Sequence, residues 1–394
     1  MSASIVVVGG SLAGVRAAEE LRAQGFDGRL VIVGEEPHQP YDRPPLSKQV
    51  LAGTKPPEAA DLHGVDELDA EWLLGTSAMG LDAAARSLEL SNGDTLAADG
   101  IVVATGASPR HVAAWDGPGT FVLRSLDDCL ALRAALVAAP RRFLVVGAGF
   151  IGCEAAASAR AMGVDVTIVE PLAAPVVRGL GERLGGVVAD LHREHGVDLR
   201  LGTGIDSIAD GVATLSDGST VEADVVLVGI GVAPNTAWLD GSGLTLDDGV
   251  VCDSTCLAAP GIVAAGDVAR WDHPVHGLIR TEHWDNAVEQ GPHAARTLMA
   301  DLAGGWGEPY APVPWFWSDQ YDRKIQVAGR TSADCDVEVV AGSIDERKFT
   351  ALYGREGRLV AVLGMNMPAK VVKWRGVLAA GGMDFAAAVE EARA

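Results

Sequence analysis

At 394 residues, the chain is long enough for two or three domains with sizeable cores. A net charge of −22 argues against nucleic acid or an anionic membrane as partner, and the acidity is uneven: residues 1–316 carry 20 basic and 42 acidic side chains, whereas residues 317–394 carry 11 of each. The five cysteines form no Cys-x-x-Cys, no apolar run reaches the ~18 residues of a membrane span, and no leader pattern precedes the first strand, so a cytoplasmic protein with buried free thiols is expected.

In chain order, the apolar run Ser4 to Val8 reads as a strand. The turn Gly9-Gly10-Ser11-Leu12-Ala13-Gly14 follows and opens an Ala-rich helical run. A second strand, Leu30 to Gly34, ends at the acid Glu35. A Pro-rich loop then runs from Glu36 to Lys48. Residues 72–98 alternate as short strands with a turn at Asn92-Gly93. Gly100 to Ala104 is an apolar strand ending in Thr105-Gly106. A helix over Asp127 to Val137 leads to the strand Arg142 to Val146 and a second glycine turn, Gly147-Ala148-Gly149-Phe150-Ile151-Gly152. Another helical run precedes the strand Val164 to Val169, which ends at Glu170.

The order then repeats. Val197 to Thr220 alternates around a turn at Asp217-Gly218, and the apolar strand Asp224 to Val228 ends in Gly229-Ile230-Gly231. Ile262 to Asp267 returns as one more apolar strand, as though the second repeat were inserted into the first. From Val313 the pattern changes to strands at Ile325 to Ala328, Val337 to Ala341, Phe349 to Tyr353 and Leu359 to Leu363, closed by a helix over Asp384 to Arg393. The fold class is therefore α/β: two doubly wound dinucleotide-binding domains, one inserted in the other, plus a C-terminal α+β domain. The expected boundaries are 1–110 with 243–312, then 111–242, then 313–394.

Each glycine turn sits between a strand and a helix, and an acid ends the next strand, which is the full context of the βαβ dinucleotide fingerprint. Glycines permit the tight turn, helix-N-terminal amides hold a pyrophosphate, and the acid takes a ribose hydroxyl. Two such units predict two dinucleotides held to exchange electrons. The first unit departs from the pattern, with Ser11 at the middle glycine. His273 and His276 lack carboxylate or cysteine support, so no metal is expected.

Further stretches carry a resemblance: Val8 to Arg16, Pro40 to Lys48, Ala104 to Ala107, Val146 to Glu154, Gly231 to Asn235, Ala265 to Asp267, Glu282 to Ala287, and Trp315-Phe316-Trp317-Ser318-Asp319-Gln320. In this order they resemble the glutathione reductase-like flavoproteins over nearly the whole chain. Within these, the chain is similar to the putidaredoxin reductase-like branch, the ferredoxin reductases that feed bacterial monooxygenases and dioxygenases. The resemblance implies non-covalent FAD on the first unit, since no His or Cys sits where a flavin link would form. Gly9, Ser11, Leu12, Ala13 and Gly14 would take its pyrophosphate and Glu35 its ribose, with Ala78 beside the adenine. Arg43 and Lys48 would reach the flavin side, and Thr105, Gly106 and Arg124 would border the cofactor. Gly266 and Asp267 would hold the ribityl chain, while Trp284, Ala287 and Trp317 would flank the flavin.

On the second unit the resemblance implies NADH, held by Gly147, Gly149, Phe150, Ile151, Gly152, Glu170 and Gly231. Lys48 and Glu154, drawn from different dinucleotide units, are expected to pair near flavin N5 and to serve hydride transfer. Electrons would pass to a small iron–sulfur ferredoxin and on to an oxygenase. The bland alternatives are solvated loop charges for Arg43 and Lys48, core or domain-contact aromatics for Trp315 to Trp317, and a dipole partner for Glu154. Three rivals stand beside the reductase. A disulfide reductase would need a cysteine pair, absent from the Pro44 to Lys48 loop. The acceptor could instead be rubredoxin, a quinone or a small metabolite. A redox-sensing or scaffold flavoprotein like apoptosis-inducing factor wants a basic face, which −22 disfavours.

Overall fold

The computed structural model describes residues 3–394. Two compact units emerge: residues 3–42, 60–108 and 233–312, and residues 43–59, 109–232 and 313–394.

The first unit is built on a six-stranded sheet. Its order is Leu257–Ala259, Ile262–Ala264, Gly100–Val103, Ser4–Val8, Arg29–Gly34 and Glu71–Leu74. All neighbours are parallel except the first pair. Strands covered on both faces read as continuous Val/Ile/Leu runs, and Ile5, Val7, Ile32, Ile101 and Val102 are fully buried. Burying each such side chain contributes about 1.5–3 kcal/mol. Ser4–Val8 lies between Arg29–Gly34 and Gly100–Val103, so Gly9 follows at the carboxyl end of a central strand, the switch point where such sheets bind ligands. A three-stranded antiparallel sheet, Ala78–Asp82 to Thr95–Ala97, turns at Gly93 (φ +89°) as Asn92-Gly93 predicts.

The second unit repeats the plan with parallel strands in the order Asp198–Leu201, Val166–Glu170, Phe143–Val146, Val225–Val228 and Thr120–Phe121. Phe143–Val146 is again central and leads into Gly147. This unit also contains the C-terminal antiparallel sheet, ordered Trp315–Gln320, Arg323–Gly329, Arg358–Met365, Lys348–Arg355 and Asp336–Ser343. The helices Pro368–Ala379 and Phe385–Arg393 pack on it through Val371, Trp374 and Ala388. The segment 43–59, which contains the second half of the Pro-rich loop, belongs here too. Cys129 Sγ donates to Leu46 O at 3.2 Å, Arg133 Nη1 to Leu51 O at 3.1 Å and Ser158 Oγ to Ser47 O at 2.8 Å.

Several elements go beyond the sequence reading. The helix Trp284–Leu302 has Pro292 in its interior, which masks it, and Pro368 marks the start of another helix by supplying its first turn. The 18-residue helix Val177–Glu194 contains four glycines, and Gly181 breaks its dihedrals (φ +75°). Among the described residues, no helix is long and apolar enough to cross a membrane.

Candidate functional site

Both glycine turns are built alike, and backbone contact explains their glycines. A Cβ on Gly9 would lie 2.1 Å from Ala104 O, and one on Gly147 2.4 Å from Gly229 O. At the last glycine of each turn, a Cβ on Gly14 would meet Gly9 O at 1.9 Å, and one on Gly152 would meet Gly147 O at 2.3 Å. By contrast, a Cβ on Gly149 would enter open space, which leaves room for an incoming phosphate. Ser11 and Gly149 cap the helices Leu12–Ala23 and Phe150–Ala161 in extended conformation, and neither helix has a side-chain cap. The first-turn amides thus face outward as an anion cradle in each unit. These features fit two dinucleotides, with Ser11 small enough for the first.

In the first unit Glu35 is exposed at the end of its strand. Thr105 and Asn235 clasp each other: Thr105 Oγ1 donates to Asn235 O at 2.9 Å, and Asn235 Nδ2 to Thr105 O at 2.8 Å. Gly106 takes φ +67° beside them. Gly266 (φ +75°) donates its amide to Gln290 Oε1 at 2.9 Å, and Arg280 Nη1 donates to Asp267 O at 3.2 Å, so the turn bearing Asp267 is held from two sides. Trp284 Nε1 donates to Asp42 Oδ1 at 2.9 Å, which fixes the indole, and Ala287 lies one turn further along that helix. Ala78 is half-buried at the start of its strand. Sequence reasoning assigned no role to Asp42, Gln290 or Arg280.

In the second unit Glu170 is buried and braces the glycine turn: its Oε2 accepts from Ala148 N at 2.7 Å and its Oε1 from Leu172 N at 3.0 Å. Each oxygen keeps a lone pair for a further donor. Gly231 (φ +100°) accepts from Arg110 N at 2.8 Å. Arg43 Nη1 donates to Arg124 O at 2.7 Å, so these two expected cofactor neighbours sit together. His273, in the first unit, is engaged structurally. Its Nε2 donates to Pro312 O at 3.0 Å and its Nδ1 accepts from Val275 N at 3.1 Å.

The densest chemistry surrounds Glu154, in the first turns of the helix Phe150–Ala161 and 3 % exposed. Lys48 Nζ lies 2.6 Å from its Oε2, and Ser47 Oγ donates to the same oxygen at 2.5 Å. Ser318 Oγ donates to Oε1 at 2.7 Å. The expected Lys48–Glu154 ion pair is therefore present, but both partners lie in the second unit, because the loop 43–59 packs there rather than with the first βαβ repeat. Three donors satisfy a carboxylate that burial alone would penalise by several kcal/mol. Ser318 comes from the strand Trp315–Gln320, whose alternation turns Phe316, Ser318 and Gln320 one way and Trp315 and Trp317 the other. Phe316 meets Phe150 edge to face at 4.8 Å, while Trp315 and Trp317 stack on each other at 5.3 Å.

The thiols stand apart from this chemistry. All five cysteines are free, burial pushes Cys129 up to about 11 and Cys256 up to about 12, and Cys153 also rises, mainly by burial. Such thiols stay protonated and inert.

Comparison with known proteins follows the same outline. Residues 3–291 match the family model of the pyridine nucleotide-disulphide oxidoreductases, and residues 315–393 match that of the reductase C-terminal domain. The chain is 39 % identical to rhodocoxin reductase of Rhodococcus erythropolis over 95 % of its length and 89 % of that protein. It is 37 % identical to the ferredoxin–NAD(+) reductase component of the anthranilate 1,2-dioxygenase system of Burkholderia cepacia, over 96 % and 94 % of the two chains. Its fold superposes on a putidaredoxin reductase solved in covalent complex with putidaredoxin, with TM-score 0.88, 32 % identity, and coverage of 95 % and 92 %.

Proposed function

Because the chain belongs to the pyridine nucleotide-disulphide oxidoreductase family and carries its reductase C-terminal domain, we propose that it oxidises NADH and passes the electrons, through FAD, to a small iron–sulfur ferredoxin that serves an oxygenase. The reaction balances as one NADH and two oxidised ferredoxins giving NAD+, two reduced ferredoxins and a proton. Bound FAD supplies the conversion from a two-electron hydride donor to one-electron acceptors. The chain's own residues bind, align and exclude water.

The region built on 1–110 and 243–312 would hold FAD, with Gly9 to Gly14 on its pyrophosphate, Glu35 on its ribose and the Asp267 turn on its ribityl chain. The region 111–242 would hold NADH on Gly147 to Gly152, with Glu170 at the ribose. Region 313–394 would meet the ferredoxin. Lys48 and Glu154 would attend the nicotinamide end, where the hydroxyls of Ser47 and Ser318 hold the carboxylate of the ion pair in place. A cytoplasmic location suits the free thiols.

The observation that carries this reading is the seating of the Trp315–Gln320 strand on the nicotinamide-type helix, through Ser318 to Glu154 and Phe316 to Phe150. No cysteine lies on the Pro44 to Lys48 loop beside Glu154, where a disulfide reductase would need its redox pair. Anaerobic stopped-flow mixing with NADH should bleach the flavin. Reoxidation should then be fast with a plant-type or bacterial [2Fe–2S] ferredoxin and slower with rubredoxin. Reoxidation by dye or quinone but by neither iron–sulfur protein would remove the ferredoxin assignment.

A further inference from the structure

The hydrogen bonds around Glu154 do not stop at its three donors. Ser318 Oγ, which donates to Glu154, accepts from Gln320 Nε2 at 3.1 Å. Gln320 Oε1 lies 3.0 Å from His192 Nε2, and Tyr321 OH lies 2.9 Å from His192 Nδ1. Ser318, Gln320 and His192 are each 0 % exposed. Tyr321 is half-buried, with its ring stacked on that of His195 at 3.6 Å.

The carboxylate dictates the direction of every link. Glu154 only accepts, so Ser318 must give its proton to it and take one from the Gln320 NH2. The Gln320 carbonyl then accepts from His192 Nε2–H, which leaves Nδ1 to accept from the tyrosine hydroxyl. Burial pushes His192 down to about 4, consistent with this neutral tautomer, and burial also raises Tyr321. Four donors in a row point one way, from the half-buried tyrosine to Glu154. Chains of this kind polarise each link in the same sense.

We propose that Tyr321, His192, Gln320 and Ser318 are positioning residues for NADH oxidation: a one-way hydrogen-bond chain that fixes the Glu154 carboxylate, and through it the Lys48 ammonium, at the nicotinamide site. The inference rests on the reading that Lys48 and Glu154 attend hydride transfer. The chain does not carry protons. Gln320 is an amide, and passing a proton through it would require a high-energy imidic-acid form. What it transmits is orientation. Three elements meet in it, the nicotinamide-type helix, the helix Val177–Glu194 and the strand Trp315–Gln320 with the tyrosine that follows. A polar chain kept only for folding would lower stability when cut and leave the chemical step unchanged.

The test uses the FAD-loaded enzyme and single-turnover flavin bleaching by NADH, which separates the rate at saturation from the apparent NADH affinity. Ser318→Ala should slow bleaching about tenfold and Tyr321→Phe about threefold, with affinity for NADH nearly unmoved, because each removes one donor from the chain. Tyr321→Phe keeps the ring on His195, so it remains informative if Ser318→Ala folds poorly. In a Glu154→Gln background, adding Tyr321→Phe should change nothing further. Wild-type bleaching rates in both single variants, with only melting temperature lowered, would overturn the proposal. So would an effect of Tyr321→Phe that persists undiminished beside Glu154→Gln. If Glu154→Gln itself leaves bleaching intact, the reading of the Lys48–Glu154 pair fails and the proposal with it. If NADH does not bleach the wild-type flavin at all, the proposed reaction fails first.

Discussion

Glu170 does two jobs at one carboxyl group. Its oxygens hold the amides of Ala148 and Leu172, so it shapes the second glycine turn before any ligand arrives. Its remaining lone pairs suit ribose hydroxyls and repel a 2′-phosphate. The stretch Pro171 to Val177 has no Arg or Lys, and Arg178 is the nearest cation beyond it. NADH should therefore be preferred to NADPH. Glu170→Ala should lower kcat/KM for NADH and narrow the NADH/NADPH ratio by ~tenfold, the value of one lost charged hydrogen bond. Steady-state kinetics with both cofactors decides this, and an unchanged ratio would refute it. A second residue-scale effect comes from His192. Burial is the main cause of its depressed affinity for protons, with His195 adding to it and the Gln320 bond opposing it. A histidine held neutral in the fold contributes fully above its unfolded value of 6.5, and the contribution is lost as pH falls toward about 4. The loss is on the order of 3 kcal/mol across that window. His192→Gln should flatten the decline in urea midpoint between pH 7 and pH 4.5. An equally steep decline in the variant would place the acid lability elsewhere.

At the scale of elements, the helices Leu12–Ala23 and Trp284–Leu302 of the first unit touch backbone to backbone. A Cβ on Gly291 would come within 2.5 Å of Ala13 O and 3.2 Å of Ala17 N, and a Cβ on Gly266 within 2.9 Å of Ala13 Cβ. Gly291→Ala should push the helix away from the glycine turn, at a cost of roughly 1–3 kcal/mol as overpacking. The variant should melt several degrees lower and release FAD at lower urea than wild type. Unchanged melting and retention would mean that the contact is slack. This contact was not legible in the sequence, where Gly291 stands beside Pro292 in a run that reads as a poor helix. What was legible depends on local rules. Ser4–Val8 and Phe143–Val146 show as buried apolar runs before glycine turns, and Asn92-Gly93 and Asp217-Gly218 as hairpins. The Lys48–Glu154 pair was legible only through the resemblance, since 106 residues separate its partners. The chain beyond it was hidden for another reason. His192 sits in a glycine-interrupted helix, and the alternation that turns Ser318 and Gln320 inward was obscured by the three aromatics ahead of them. Side-chain networks across elements depend on packing that no local window contains.

At the scale of the whole molecule, charge decides where an acidic iron–sulfur partner can land. A body of −22 repels such a partner over most of its surface, whereas residues 317–394 are neutral overall. The structure ranks the five basic residues expected there. Arg323 and Lys324 pair with Asp322 and Asp319, at 3.4 and 3.3 Å. Lys373 pairs with Glu391 at 2.8 Å and lies over the Trp374 ring. Arg375 lies over Trp315, which stacks on Trp317, and Lys324 lies over Trp317 in turn. Lys370 is exposed and makes no ion pair among the described residues. Lys370 and Lys373 project from the helix Pro368–Ala379, so an acidic partner drawn to them would land on the C-terminal region beside the aromatic stack. Docking steered this way must weaken with salt, because the Debye length shrinks from about 10 Å at 0.1 M to about 3 Å at 1 M. Ferredoxin-dependent turnover should therefore fall with ionic strength in the wild type. In Lys370→Glu/Lys373→Glu it should start about tenfold lower and respond less to salt. Ferricyanide, which needs no docking, should be reduced equally by both proteins at every salt concentration. A parallel loss of ferricyanide reduction would mean that the variant has damaged the flavin or NADH site. If instead ferredoxin turnover ignores both salt and charge reversal, the partner binds on some other surface, and the neutral tail serves folding rather than recognition.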